Sequence, residues 1–129
     1  MKIPLVMSCA DGRVRARQDA AFGLNPMSNS AVTAKTAAYT ITSKEYGCAF
    51  SNEGATGAVT FTLPTCFAGA TLIIFKMANQ TLTLDGAGSD TIDGAATLAN
   101  TASQAGSAMV TLYGISATKW IAQTKGTWA

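Results

Sequence analysis

From residue 38 onward, apolar and polar residues alternate in short segments that are separated by turn residues. The clearest segment is AVTFTL, residues 58–63, in which valine, phenylalanine and leucine point to one side of an extended chain and the two threonines to the other. Pro64 ends the segment, because proline has no backbone N–H to donate to a neighbouring strand. This period of two predicts a β-strand with one buried side.

Similar segments follow one another along the rest of the chain. The strands predicted from them are 38–42, 48–52, 58–63, 71–76, 81–84, 96–101, 108–114 and 119–124. Segment 71–76 (TLIIFK) is more continuously apolar, so we expect it in the middle of a sheet and covered on both faces. The last two segments form a predicted hairpin. About eight short strands between turns predict an all-β fold, an antiparallel β-sandwich or barrel of jelly-roll type.

The first part of the chain has a different pattern. Residues 1–37 show no clean alternation, and turn residues interrupt them, although 13–22 could form one or two helical turns. They also hold five of the nine basic residues, Lys2, Arg13, Arg15, Arg17 and Lys35. We therefore predict an extended N-terminal arm, 1–37, followed by a β-sandwich domain, 38–129.

Composition adds an expectation about the surface. Charged residues make up only 12% of the 129 residues, against about 25% in an average soluble domain. Such a surface is typical of a protein covered by copies of itself or by a larger assembly. The net charge of +2 does not predict nucleic-acid binding, and no apolar run approaches the length of about 20 residues that spans a membrane.

The sequence shows no recognisable set of catalytic residues. It contains no histidine, which excludes catalytic triads with a histidine base. Cys9, Cys48 and Cys66 are odd in number and widely spaced, so we expect buried free thiols in a protein assembled in a reducing cytoplasm. We expect neither an enzyme nor a bound cofactor.

The loop DGAGSDTIDG, residues 85–94, has the sharpest local pattern. It resembles a calcium-binding nonapeptide repeat, with Asp85, Asp90 and Asp93 as candidate calcium ligands. Only one copy is present, whereas such repeats hold calcium between stacked turns. The simpler interpretation is a glycine-rich turn in which Asp90 binds loop amides.

Two further groups of residues suggest binding. Arg13, Arg15 and Arg17 would lie on one face of an extended strand, facing acidic groups or phosphates. The simpler interpretation is a solvated arm with local acidic partners, and a third is an arm that contacts an acidic neighbouring protein. Aromatic residues could form a sugar-binding platform, although in most proteins such residues belong to the core or to an interface. These are Tyr39, Tyr46, Tyr113, Trp120 and Trp128.

The region from residue 38 to the end resembles a module of structural proteins of tailed bacteriophages. Its pattern is a Y-T-I-T segment, the run N-E-G-A-T-G-A-V-T-F-T-L-P, a Q-T-L-T-L strand, D-T-I in a glycine loop, an apolar hairpin and a closing tryptophan. The matching residues are 39–42, Phe50, Asn52, 54–64, 80–84, 90–92, 109–112, Trp120 and 126–128. The resemblance does not include the arm.

The resemblance implies an all-β part of a virion, with no catalytic residues and often trimeric. Because only a short arm precedes the module, it favours a capsid decoration (cement) protein that binds the major capsid protein on the outside of the head and stabilises it. A tail-fibre or baseplate component and a carbohydrate- or host-surface-binding module are the alternatives. Candidate capsid contacts in the arm are Ile3, Leu5, Val6, Arg13, Arg15, Arg17 and Phe22.

Overall fold

The computed structural model describes residues 5–7, 14–16, 32–103 and 108–129. These residues form β-strands and turns, with no helix among them, and the larger part of them forms two packed sheets. The all-β sandwich prediction is therefore confirmed. The strands are β1 (Leu5–Met7), β2 (Val14–Ala16), β3 (Val32–Ala34), β4 (Tyr39–Thr40), β5 (Ala49–Ser51), β6 (Val59–Thr62), β7 (Thr71–Lys76), β8 (Leu82–Asp85), β9 (Thr91–Ile92), β10 (Thr97–Asn100), β11 (Ala108–Gly114) and β12 (Lys119–Lys125).

One sheet has six strands in the order β3-β5-β7-β11-β12-β9, and the other has four in the order β10-β8-β6-β4. Strands β1 and β2 form a separate antiparallel pair. The predicted terminal hairpin is confirmed, since β11 and β12 pair antiparallel from Met109 with Lys125 to Gly114 with Trp120.

The connections between β3 and β10 alternate between the two sheets. Each odd-numbered strand from β3 to β9 belongs to the six-stranded sheet and each even-numbered strand from β4 to β10 to the four-stranded sheet. Four pairs of strands two apart along the chain therefore become parallel neighbours, β3 with β5, β5 with β7, β4 with β6 and β6 with β8, whereas β8 and β10 pair antiparallel. The sheets are mixed, rather than antiparallel throughout, because most turns cross the sandwich instead of forming hairpins.

The core lies between the sheets and takes one side of each strand. In β6 the pattern is buried at Val59 and Phe61 and half-buried at Thr60 and Thr62, as the alternation predicts. Fully burying a large apolar side chain contributes about 1.5–3 kcal/mol, so this single core accounts for much of the stability of the sandwich. The largest fully buried apolar side chains are Ile41, Phe50, Phe61, Leu63, Leu72, Ile74, Leu82, Leu84, Ile92, Leu112 and Trp120.

Strands β2, β3 and β9 differ from the sequence-based expectations. Val14–Ala16 forms strand β2 in a segment for which helical turns were considered, and Val32–Ala34 adds strand β3 to the six-stranded sheet from within the predicted arm. Strand β9, Thr91–Ile92, forms in the glycine loop by pairing with β12. These strands are two or three residues long, too short for a period of two to be recognised in the sequence.

Candidate interaction surface

The outer side of the six-stranded sheet is largely apolar. In the central strand β7, Leu72 and Ile74 are fully buried, so the alternation places Ile73 and Phe75 on the opposite side. Both remain partly exposed. The prediction that this strand is central is confirmed, whereas no described element covers its outer side.

The register extends this apolar side across five strands. Ile73 lies beside Ala49, and Phe75 beside Met109. Further along, Tyr113 pairs with Ile121, and each is 41% exposed. We call this surface the apolar face; its apolar residues are Val32, Ala34, Ala49, Ile73, Phe75, Met109, Tyr113 and Ile121, and Thr71, Thr111 and Gln123 lie among them.

Charges lie at the margins of the apolar face. Lys119 and Lys125 are exposed on β12 along one side. At the opposite side, Glu53 borders an open hollow of about 260 Å³ that Val32, Phe75 and Met77 also line. An apolar centre with a polar margin is the usual arrangement of a protein–protein contact.

The outer side of the four-stranded sheet has a different chemistry. Strands β4, β6, β8 and β10 place mostly threonines there, and the register sets Thr40 beside Thr62 and Thr60 beside Thr83. We call this surface the threonine face; its residues are Thr40, Thr60, Thr62, Thr83 and Thr97. Hydroxyl groups bind water, so this face needs no protein partner.

The glycine-rich loop is held to other parts of the fold by its aspartates. The carboxylate of Asp90 accepts the N–H of Cys66 at 2.9 Å, and the carboxylate of Asp93 accepts the N–H of Ala122 at 3.1 Å. A Cβ on Gly86 would lie 2.5 Å from the carbonyl oxygen of Asp90, so only glycine allows this approach. The loop thus connects strands of both sheets, and Asp90 binds an amide of another turn rather than of its own loop.

The calcium candidates do not form a ligand cluster. Within the described ranges, no group of three or more His, Cys, Asp or Glu side chains is placed to hold a metal ion. Asp85 lies at the end of β8 and pairs with Thr97, on the threonine face.

The cysteines have two different states. Cys66 is a buried free thiol whose Sγ lies 3.2 Å from the carbonyl oxygen of Lys119. Burial, and then the negative charge of Asp90, raise the pKa of this thiol, which makes it a poor nucleophile. Cys48 is disulfide-bonded, so the expectation of a free thiol there is wrong. Spacing along the chain does not reveal which sulfur atoms meet in the fold. Cys9 lies outside the described residues.

The aromatic residues do not share a platform. Trp120 is fully buried, its indole N–H has no hydrogen-bond partner in the described part of the chain, and Trp128 packs against the core and donates to the carbonyl oxygen of Lys125. The hydroxyl of Tyr46 donates to the carbonyl oxygen of Thr65. Only Tyr113 of the five presents a large exposed surface.

Tyr39 belongs to a polar cluster beside the core. Its hydroxyl donates to both carboxylate oxygens of Glu45, at 2.8 and 3.0 Å, and Lys35 Nζ lies 3.9 Å from the centre of its ring. Glu45 also accepts the N–H and the hydroxyl of Thr42. Desolvation, and then the hydrogen bond and charge of Glu45, raise the pKa of Tyr39 to about 12. This cluster fixes the crossing from β4 to β5.

The candidate capsid contacts of the arm are described only in part. Leu5 and Val6 lie in β1, and Arg15 lies in the paired strand β2, in extended backbone. Ile3, Arg13, Arg17 and Phe22 lie outside the described residues.

No protein-family model matches the chain, and no curated protein matches it with significance. Among the described residues there is no long apolar helix that could cross a membrane.

Proposed function

We propose that this chain is a structural protein of a tailed-bacteriophage virion, a capsid decoration protein that binds the assembled head from outside and stabilises it. The observation that carries the proposal is the apolar face. Apolar side chains on the outer side of five neighbouring strands, with threonines between some of them, are more than isolated exposed side chains, and such a surface marks a contact with another protein.

The chemistry of the described residues agrees with adhesion. Their most buried ionisable groups, Glu45, Lys76 and Asp90, each take part in hydrogen bonds that fix loops. Residues of the resemblance to phage modules, such as Phe61, Leu84 and Trp120, lie in the core. The resemblance therefore supports the scaffold, and the apolar face supports the contact.

The proposed partner is the major capsid protein, with copies of this chain associated as a homotrimer. A protein that binds only the assembled lattice stabilises that lattice by mass action. A trimer that contacts several subunits gains from effective concentration, so each contact can be weak. The arm, with its basic residues, is proposed to extend the contact.

Binding to heads tests the proposal. Heads of the encoding phage that lack this protein are mixed with purified chain, and bound protein is measured after sedimentation. The paired change Tyr113→Lys and Ile121→Lys replaces two apolar contacts with charges, so it should weaken binding about hundredfold. This corresponds to about 2.8 kcal/mol, at about 1.4 kcal/mol for each tenfold. The matched control is Thr60→Lys with Thr83→Lys on the threonine face, which should bind normally.

Equal binding by both pairs of variants would contradict a role for the apolar face, and absence of binding by the unchanged chain would contradict decoration. The copy number in purified virions separates the head from the tail. A number that scales with the capsid lattice supports decoration, whereas a few copies per particle indicate a tail-fibre or baseplate component.

A further inference from the structure

A lysine and an asparagine meet in the interior of the sandwich. Lys76, the last residue of β7, and Asn100, the last residue of β10, are each 0% exposed. Lys76 Nζ donates to Asn100 Oδ1 at 3.2 Å and to the carbonyl oxygen of Ala102. Since β7 belongs to the six-stranded sheet and β10 to the four-stranded sheet, this contact bridges the two layers.

The surroundings of Lys76 increase the fraction of its amine that is neutral. Desolvation lowers the pKa of this lysine, and within the described ranges no carboxylate contacts Nζ to oppose that effect. A neutral amine has two hydrogens, and the two acceptors, Asn100 and Ala102, match them. The nitrogen lone pair becomes a nucleophile toward Asn100 when Nζ turns from donating to Oδ1 to facing Cγ.

The amide of Asn100 is polarised from a second direction. Its Oδ1 also accepts the backbone N–H of Ala102 at 3.0 Å. Donors fixed on a carbonyl oxygen stabilise the negative charge that develops when the carbon is attacked. The carbonyl bond is about 1.2 Å long, so Nζ lies within about 4.5 Å of Cγ. The two atoms must approach by about 1 Å to reach the reacting distance of about 3–3.5 Å.

We propose that Lys76 and Asn100 form an intramolecular isopeptide bond. The lone pair of Nζ attacks Cγ, and the electron pair of the carbonyl bond moves to Oδ1. The carbonyl then re-forms, the bond from Cγ to Nδ2 breaks, and a proton passes from Nζ to Nδ2. One ammonia leaves, and a secondary amide joins the two side chains with no oxidant or other reagent.

The reaction should be slow and should follow folding. With no carboxylate at Nζ among the described residues, the proton moves directly or through water, without an acid–base side chain to speed it. The product is a covalent link between residues 24 positions apart and between the two sheets. Such a link restricts the unfolded chain as a disulfide does and should raise the melting temperature.

Intact-mass measurement during storage tests the bond. The purified full chain is incubated at neutral and mildly alkaline pH, and samples are measured after denaturation and reduction. We expect a fraction that has lost one ammonia, growing with time and faster at the higher pH. Digestion with trypsin should then yield a branched peptide that joins Lys76 to Asn100, which trypsin does not cleave after Lys76.

Two variants remove the reaction in different ways. Lys76→Met removes the nucleophile with a similar volume, and Asn100→Ala removes the acyl group; circular dichroism verifies their fold. Neither should lose ammonia. Cyclisation of an asparagine with its own backbone also releases ammonia, and it would persist in Lys76→Met.

A wild-type mass that stays unchanged on long incubation would overturn the proposal, and so would ammonia loss that persists in Lys76→Met. The branched peptide is a readout of the wild-type chain alone, so the test stands even if both variants fail to fold. It is also independent of any binding to capsids.

Discussion

The two outer faces of the sandwich cover the same core but present opposite chemistries. On β6, the residues that alternate with buried Phe61 are threonines. On β7, the residues that alternate with buried Ile74 are Ile73 and Phe75. The hydroxyl groups of the threonine face form hydrogen bonds with water. Removing the apolar area of the other face from water would be favourable in free energy.

This difference shows that an apolar inner side of a strand does not determine which residues occupy its outer side. A strand with a period of two needs only one apolar side to fold, so the second side is open to another requirement. The threonines of the threonine face favour solubility, because their hydroxyl groups bind water. They are also β-branched, which suits extended backbone. The apolar face supports the proposed contact with another protein.

The largest expected effect is the loss of stability on substitution in the core, which should exceed the loss on either outer face. Phe61→Ala should lower the free energy of unfolding by about 3–5 kcal/mol, because it removes a fully buried ring. Phe75→Ala on the apolar face should cost about 1–2 kcal/mol, since its ring is only partly buried. Thr60→Ala should cost about 0.5 kcal/mol or less. Urea unfolding measures all three, and an equal cost for Phe61→Ala and Phe75→Ala would contradict this division.

Exchanging apolar and threonine residues between the two faces should change the hydrophobicity of the surface more than the free energy of unfolding. Ile73→Thr with Phe75→Thr should lose about 1–3 kcal/mol of stability and elute earlier from a hydrophobic-interaction column. The matched variant, Thr60→Val with Thr62→Val, should keep its stability within about 1 kcal/mol and elute later. Retention that does not differ between the two variants would mean that the faces are equivalent in solution.

Ionisation of Tyr39, on the edge strand of the four-stranded sheet, should have a smaller effect on the free energy of unfolding. Its pKa is raised from 10.0 to about 12, so the folded chain keeps a proton that the unfolded chain releases. The contribution to stability is present below pH 10 and is lost as the pH rises toward 12. Urea unfolding across this range should show a decline in the wild type that is weaker in Tyr39→Phe. Parallel declines would exclude Tyr39 as its source.

The smallest expected effect is that of calcium on the glycine-rich loop. Asp90 and Asp93 already accept backbone N–H groups, so added calcium should leave the melting temperature unchanged relative to added chelator. Magnesium serves as the control for ionic strength. A rise specific to calcium would restore Asp85, Asp90 and Asp93 as ligand candidates.

Only part of the candidate surface was predictable from the sequence. The unusual apolar run of 71–76 predicted a strand with two apolar sides, and the low content of charge predicted a covered surface. Which other residues join Ile73 and Phe75 was not predictable, because Ala49 and Met109 come beside them only through the register. The contact of Lys76 with Asn100 was also missed, since nothing in the sequence indicates that two strand ends meet across the layers.

The amino-acid sequence by itself determined the longer strands and their inner sides. A period of two, interrupted by glycine and proline, acts within six residues, and residues such as Val59, Phe61 and Leu63 need no distant partner to define it. Apart from the hairpin of β11 and β12, only the tertiary structure decided how the strands pair. The turn between two strands has much the same composition whether it folds back in one sheet or crosses to the other. Here the crossings prevail, since both layers must bury their inner sides against each other, and parallel neighbours such as β4 with β6 and β5 with β7 result.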